Sequence, residues 1–310
     1  MGFLDLNGSL GRRFGSLGLA LEELATVVTA WADDHVHAEG PQSARAESFA
    51  RHALDHMGIP AGVRLHIRQA IPDHAGLGSG TQLALAVGTA LTRLYGVDAS
   101  PRDLAGVLSR GHRSGIGLGL FERGGFVVDG GRSGQDMPPT VTAHLDFPSQ
   151  WRLVLILDPT FRGLHGEAEK QAFATLPEFS EANAGHLCRL ALMQAMPALA
   201  EQDISSFGAA ISGIQAVVGD HFAPAQGGRY ASATVTRALE WFAHNGAAGV
   251  GQSSWGPTGF ALVGSETQAH ALARTARNAF AGEGLEFQVC KGRNRGAEIR
   301  SEPHSAQATA

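Results

Sequence analysis

Cysteine is nearly missing from this sequence: Cys188 and Cys290 are the only two, far apart and without a Cys-x-x-Cys partner. That excludes a disulfide framework and a cysteine-built zinc site, and both read as small core residues. An excess of positive charge is missing too. With a formal net charge of -5, the chain lacks the uncompensated Lys and Arg that general nucleic-acid binding needs. No basic-then-apolar leader opens it, and no uninterrupted apolar run reaches the length of a membrane span. A cytoplasmic protein with neither a nucleic-acid nor a membrane partner is expected. What is plentiful is apolar content, at 44%, and glycine, at 41 of 310 residues with no fixed period. Such a length suits one large or two moderate domains with a substantial core. The glycines read as local punctuation.

Two strand-like segments, residues 3–6 and 17–30, flank the polar loop Asn7-Gly8-Ser9-Leu10-Gly11-Arg12-Arg13. Helical spacing over 44–57 stops at Gly58-Ile59-Pro60, and Val63–Gln69 then alternates as a half-buried strand. Pro101–Arg110 reads as a helix with Ser100 as its N-cap and Pro at the first position. Short strands follow at 126–129, 141–147 and 151–158. The second half is helix-rich, with periodicity over 167–173, 181–196, 204–218 and 231–244. Strands return at 248–251, 259–263 and 286–291, with a helix over 267–281 between the last two. The spacing predicts an α+β layer architecture in both halves, divided near Pro148-Ser149 into domains 1–148 and 149–300, and a disordered polar tail over 301–310.

The most informative run is Ile71-Pro72-Asp73-His74-Ala75-Gly76-Leu77-Gly78-Ser79-Gly80-Thr81-Gln82, followed at once by the small, apolar stretch Leu83–Leu94. It reads as a strand end, a glycine loop and a helix over 81–95 that begins with unpaired amides. Glycine lets the backbone come close to a ligand, while the free N–H groups and the positive dipole end attract an anion. Gly76, Leu77, Gly78, Ser79, Gly80, Thr81 and Gln82 are therefore the candidate phosphate cradle. The plainer alternative is a tight strand-to-helix turn.

This loop resembles the phosphate-binding motif of the GHMP kinase superfamily, which usually reads Pro-x-x-x-Gly-Leu-Gly-Ser-Ser. Pro72 to Gly78 fits, whereas Gly80-Thr81-Gln82 replaces the usual continuation, a departure that speaks against ATP phosphotransfer. Three further blocks resemble a narrower group in that superfamily, the beta-ribofuranosylaminobenzene 5'-phosphate synthases. They are residues 3–12, residues 113–117 with 121–131, and Gly251-Gln252-Ser253-Ser254-Trp255-Gly256-Pro257-Thr258. The resemblance implies a GHMP-kinase-like two-domain α+β fold, its N-terminal half like a small-subunit ribosomal protein and its C-terminal half ferredoxin-like and helix-rich. It also implies condensation of phosphoribosyl pyrophosphate with 4-aminobenzoate to a C-riboside, with release of CO2 and pyrophosphate, in tetrahydromethanopterin biosynthesis for one-carbon metabolism. Mg²⁺ is the implied cofactor, ATP is not expected, and a homodimer is implied. The alternatives are an ATP-dependent small-molecule kinase and a non-catalytic binding protein on the same fold.

Such chemistry needs charge stabilisation on the leaving diphosphate and no strong general base. Asp5 offers a ligand for Mg²⁺ or the ribose hydroxyls and Arg12 a phosphate fork, set against a turn-capping Asp and a solvated Arg. Arg113 and Ser114, ahead of a glycine-rich turn, are candidates for anion contact, or pair with Glu122 or Asp129 as scaffold. Glu122 and Asp129 are metal candidates beside Asp5, or a surface pair in a glycine-rich loop. Gln252, Ser253, Ser254 and Trp255 are the aromatic-substrate candidates, the indole stacking on an arene or serving as core. Arg295 is a further phosphate candidate in a charged closing strand. His35 and His37 read as a surface turn, since two ligands do not close a metal site.

Overall fold

The computed structural model describes residues 1–134, 138–161, 163, 175–254 and 256–301. Three sheets carry the architecture. The first joins β1 (Gly2–Asp5), β2 (Phe14–Leu19), β6 (Phe126–Asp129) and β7 (Val141–Leu145) in that order, all antiparallel. The second places β5 (Gly62–Gln69) between β3 (Val27–Asp33), antiparallel to it, and β4 (Val36–Glu39), parallel to it. The third runs β11 (Glu286–Lys291), β8 (Arg152–Leu157), β10 (Gly259–Val263), β9 (Gly249–Gln252), again antiparallel.

Helices α1 (Ser43–Met57) and α2 (Ser79–Tyr95) cover one face of the second sheet. Ala46, Phe49, Ala50, Ala53 and Leu54 recur at helical spacing on α1 and pack with Leu83, Val87 and Leu91 of α2 on Val63, Leu65 and Ile67 of β5. Arg64 and Arg68, on the alternate face of that strand, stay exposed. Helix α3 (Pro101–Val107) starts as the sequence predicts: the Ser100 hydroxyl accepts from Asp103 N, and the Asp103 carboxylate accepts from Ser100 N.

Two elements depart from expectation. The segment 116–123 is helix α4 (Ile116–Arg123), not a glycine-rich turn. Its glycines serve packing: a β-carbon on Gly117 would lie 2.8 Å from Thr81 of α2, and one on Gly119 2.7 Å from Val141 of β7. The expected turn around His35 and His37 contains β4, whose backbone pairs with β5 at Ala38 and Leu65. The predicted strand over 17–30 is likewise two strands, β2 and β3, in different sheets.

In the second half, α5 (Glu181–Leu190), a π-helical turn (Ala191–Ala195), α6 (Met196–Glu201) and the long α7 (Ile204–Gln226) pack on one face of the third sheet. Helices α8 (Ala233–His244) and α9 (Glu266–Ala279) cover the other. Burial of both faces explains why β8 reads as an unbroken apolar run: Leu153 and Leu155 face α7, and Val154 and Ile156 face α8 and α9. The larger core crosses the midpoint of the chain, joining Leu4, Leu17, Phe126 and Phe147 to Phe207, Ile211 and Ile214 of α7. Phe126 meets Phe207 edge-on at 5.6 Å between ring centroids. The predicted helix over 167–173 and the tail over 302–310 lie outside the described residues.

Helix α7 sits directly on β9, where a β-carbon on Gly208 would fall 2.2 Å from the Ala248 carbonyl oxygen. Backbone cannot yield as a side-chain tip does. Gly208→Ala is expected to cost about 3 kcal/mol, the upper part of the overpacking range, read as a lowered urea midpoint. An unchanged midpoint would refute this contact.

Candidate functional site

A cavity of about 1540 Å³ opens where the three sheets meet. The glycine loop forms part of its wall, with Gly76, Leu77 and Gly78 ahead of Thr81 and Gln82. His74, Gly76 and Gly78 all take positive φ, at 57°, 74° and 75°. Gly78 is the N-cap of α2 and offers no side chain, so the first amides of a 17-residue helix are left without a protein cap. Ser79, buried at their base, donates to Asp73 Oδ1 at 3.0 Å, and Asp73 also takes Arg45 Nη1 at 2.7 Å. Partial burial pushes the Asp73 carboxyl up, but the bond from Ser79 and the Arg45 charge leave it below the usual carboxylate range.

Two sequence-distant blocks meet this loop. Ser253 Oγ donates to the Gly76 carbonyl at 2.8 Å, and Gly76 and Gly256 approach so closely that a β-carbon on either would strike the other's backbone. Ser253 and Ser254 thus border the cradle. Gln252 is buried and fully engaged: its Oε1 accepts from Ala231 N at 2.7 Å and its Nε2 donates to the Ser254 carbonyl at 3.0 Å. Trp255 lies outside the described residues.

The second block is the start of α4, whose N-terminus faces the same cavity through Ser114, Ile116 and Gly117. Gln82 Nε2 donates to the Gly117 carbonyl at 2.7 Å and ties the two helix mouths together. Beneath them lies Asp129, 1% exposed. It accepts from Ser16 Oγ at 2.5 Å, Gly131 N at 2.8 Å, Gly115 N at 3.0 Å and Ser114 Oγ at 3.2 Å. Burial pushes its carboxyl above the ordinary value, while the bonds from Ser16, Gly131, Gly115 and Ser114 pull the other way. Ser16 and Ser114, 2.6 Å apart, both line the cavity. Ser16 gives no signal in the sequence, because an isolated serine in an apolar strand has no local pattern around it.

Other candidates fall elsewhere. Asp5 accepts from Asn7 N and Gly8 N, each at 2.9 Å, and its charge reaches Cys188 in α5. Arg12 is exposed and holds the carbonyls of Gly130 at 2.7 Å and Gly131 at 2.6 Å. Arg113 is half-buried next to Ser114 and does not line the cavity. Glu122 is exposed near the end of α4 and Asp129 is buried at its start, so with Asp5 the three do not form one site. Among the described residues no group of three His, Cys, Asp or Glu could hold a metal, His35 and His37 included. Arg295 is at the cavity rim, bound to Glu22 at 2.6 Å and Glu298 at 2.6 Å.

The cavity is cationic. Its described lining carries seven arginines: Arg293, Arg295 and Arg300 pair with Glu298 or Glu22 and Arg229 with Asp220, whereas Arg64, Arg68 and Arg93 have no carboxylate partner among the described residues. Arg64, Arg68 and Arg93 line the stretch along β3, where Arg64 lies over the Trp31 ring at 4.9 Å. Such a wall attracts a multiply charged anion.

The chain matches the GHMP kinases N terminal domain over residues 44–121 and the GHMP kinases C terminal domain over 195–282. It is 35% identical to the beta-ribofuranosylphenol 5'-phosphate synthase of Archaeoglobus fulgidus, over 96% of this chain and 95% of that protein. It is 33% identical to the protein of the same name from Methanothermobacter thermautotrophicus, over 95% and 94%. Among solved structures it resembles a homoserine kinase from Cytophaga hutchinsonii, with TM-score 0.63, 18% identity and 90% of each chain covered. The galactokinase of Lactococcus lactis complexed with galactose aligns with TM-score 0.65 and 15% identity, covering 95% of this chain and 92% of that one. These two likenesses are of fold alone. Among the described residues no helix is long and apolar enough to cross a membrane.

Asp129 supplies a test of this arrangement. Its carboxyl is raised in the folded chain, so it stabilises the fold most fully below the ordinary Asp value. That contribution is lost as pH rises through the folded value, at about 1.4 kcal/mol for each pH unit separating the folded and unfolded values. The urea midpoint of the wild type minus that of Asp129→Asn should therefore fall as pH is raised from about 4 to about 7, since an unfolded Asp titrates near the lower limit. A difference that rises with pH would contradict the buried setting.

Proposed function

The chain belongs to the beta-ribofuranosylphenol 5'-phosphate synthases of the GHMP kinase superfamily, and from that membership we propose that it joins C1 of phosphoribosyl pyrophosphate to the ring of a para-donor benzoate. The observation that carries this reading is the end-to-end match with those relatives. The cationic cavity with two helix mouths in its wall supports it.

In this reading the diphosphate lies at the glycine loop, on the amides ahead of Thr81 N and Gln82 N, which themselves donate to the Gly78 carbonyl. The C1–oxygen bond breaks and pyrophosphate leaves with the electron pair, giving an oxocarbenium-like ribose. The ring carbon bearing the carboxylate, pushed by the para substituent, attacks C1. The aryl–carboxylate bond then breaks, CO2 departs, and its electron pair restores the ring. No proton need be abstracted, which suits a cavity whose one described carboxylate, Glu298, is held by arginines. Ser16 directs its proton to Asp129 and accepts within the Ser16–Ser114 pair, while Ser114 Oγ accepts from Ile116 N at 3.2 Å, so each hydroxyl keeps one lone pair to accept from a ribose hydroxyl. The described residues do not fit a protein cage for magnesium; Mg²⁺ is expected as a counter-ion carried by the diphosphate. The phenol in the relatives' name supports 4-hydroxybenzoate as an acceptor to be tested beside 4-aminobenzoate.

The ATP-dependent kinase reading rests on the likeness in fold, and the glycine loop in the cavity wall is common to both readings. Protein incubated with phosphoribosyl pyrophosphate, Mg²⁺ and carboxyl-labelled 4-hydroxybenzoate or 4-aminobenzoate should release labelled CO2 and pyrophosphate in equal amounts. Without the pyrophosphate sugar no CO2 should appear. If neither acceptor loses its label, the proposal fails.

A further inference from the structure

The first turn of α2 carries a second feature on the side away from the cavity. Gly80 stands where the superfamily loop usually continues with a second Ser, and the space its side chain would fill is taken. A β-carbon there would lie 2.3 Å from Arg45 Nη2 and 3.5 Å from Arg110 Nη1. Arg45 comes from the first turn of α1 and Arg110 from the turn after α3. Both guanidiniums rest on one ring, Phe49, at 5.8 Å and 4.9 Å from its centroid.

This is an unfavourable place for two cations. Helix N-termini favour anions, and Arg45 and Arg110 converge on the N-terminus of a 17-residue helix. A single carboxylate, Asp73, answers them, and its close bonds go to Arg45 and Ser79. Arg110 has no hydrogen-bond or ion-pair partner among the described residues, and its Nε is buried unsatisfied. Burial first, and then the Arg45 charge, push its guanidinium pKa down, against the pull of Asp73. Like charges held together, partly desolvated and short of counter-charge call for an anion from outside.

We infer that Arg45 and Arg110 bind the leaving diphosphate, closing the cradle from the side opposite the cavity and replacing the second serine of the superfamily loop with a pair of guanidiniums. The inference rests on the reading above, in which the cradle receives a diphosphate. Gly80 then has a definite role: it leaves room for the Arg45 fork against the helix mouth. Two forks on one diphosphate would strengthen as negative charge accumulates on the departing group, which is where this reaction needs stabilisation.

The probe is inorganic pyrophosphate with Mg²⁺, titrated calorimetrically. Arg45→Gln and Arg110→Gln should each weaken its binding about tenfold or more, as loss of a charged hydrogen bond does. Arg110→Lys should recover part of the loss. In turnover, KM for phosphoribosyl pyrophosphate should rise while KM for the benzoate stays. Gly80→Ala displaces only the flexible end of Arg45 and retains the fold, so it should match Arg45→Gln, and the double variant should bind no worse than either. Should Arg110→Gln fail to fold, Arg45→Gln and Gly80→Ala still decide the question. Wild-type affinity in these variants would overturn the inference and leave the cradle standing. A wild type that does not bind pyrophosphate would overturn the cradle itself and the inference with it.

Discussion

The contact of Gly76 with Ser253 and Gly256 is the constraint on which the rest of the site depends. The glycine loop follows β5 in the first half, and the opposing turn connects β9 to β10 in the second. Their backbones lie too close for any side chain, and Ser253 fixes the pair through the Gly76 carbonyl. Both sides of this seam line the cavity, at Gly76 and at Ser253 and Ser254, and the cavity also touches the core at Leu17, Leu153, Leu155 and Phe260. Packing across the midpoint and the shape of the cradle are therefore one problem: a shift of α7 on β9 moves Gln215, which accepts from Gln252 N at 2.7 Å, and with it the strand leading into the turn.

The two helix mouths are finished in opposite ways. At α4 the chain supplies its own anion, since Asp129 accepts from Gly115 N and from both serines and is sealed under the sheet. At α2 it supplies guanidiniums, with one carboxylate set against two. A helix end already given a carboxylate has little left to offer a ligand, whereas one ringed by cations is incomplete until an anion arrives. Under the proposed reading this asymmetry favours α2 for the diphosphate and leaves α4 to present hydroxyls, at Ser16 and Ser114, to the sugar.

What the sequence made legible was local. Alternation in Val63–Gln69, the Ser100 cap and the glycine run ahead of α2 each state their structure within a few residues, and each formed as expected. Helix α4 was not legible because its glycines, read as turn formers, are there to let the helix touch Thr81 and Val141, partners 36 and 22 positions away by the register of contacts at Gly117 and Gly119. Strand β4 was hidden for a related reason: a four-residue parallel edge has no hairpin turn to announce it. Arg45 gives no signal either, since only folding brings α1 to Gly80. The candidates carried by resemblance divide: Ser114 and Ser253 reach the cavity, while Asp5 and Arg12 brace the loops behind it.

A fold shared with kinases can serve carbon–carbon bond formation with modest changes in charge. Transfer of a phosphoryl group to an alcohol calls for a group to orient or deprotonate the nucleophile, and a carboxylate in the cavity is the usual means. In the proposed reaction the nucleophile is an arene that carries its own electrons and its own leaving group, so that carboxylate would be dispensable. The demand would then move to the diphosphate, which must leave with a full pair of electrons. In that reading the surplus of arginine over carboxylate in the lining, with Arg64, Arg68 and Arg93 outside the ion pairs on Glu22, Asp220 and Glu298, would meet that demand. The helix mouth that grips phosphate is common to both chemistries, and what distinguishes them is where the remaining charge is placed around it.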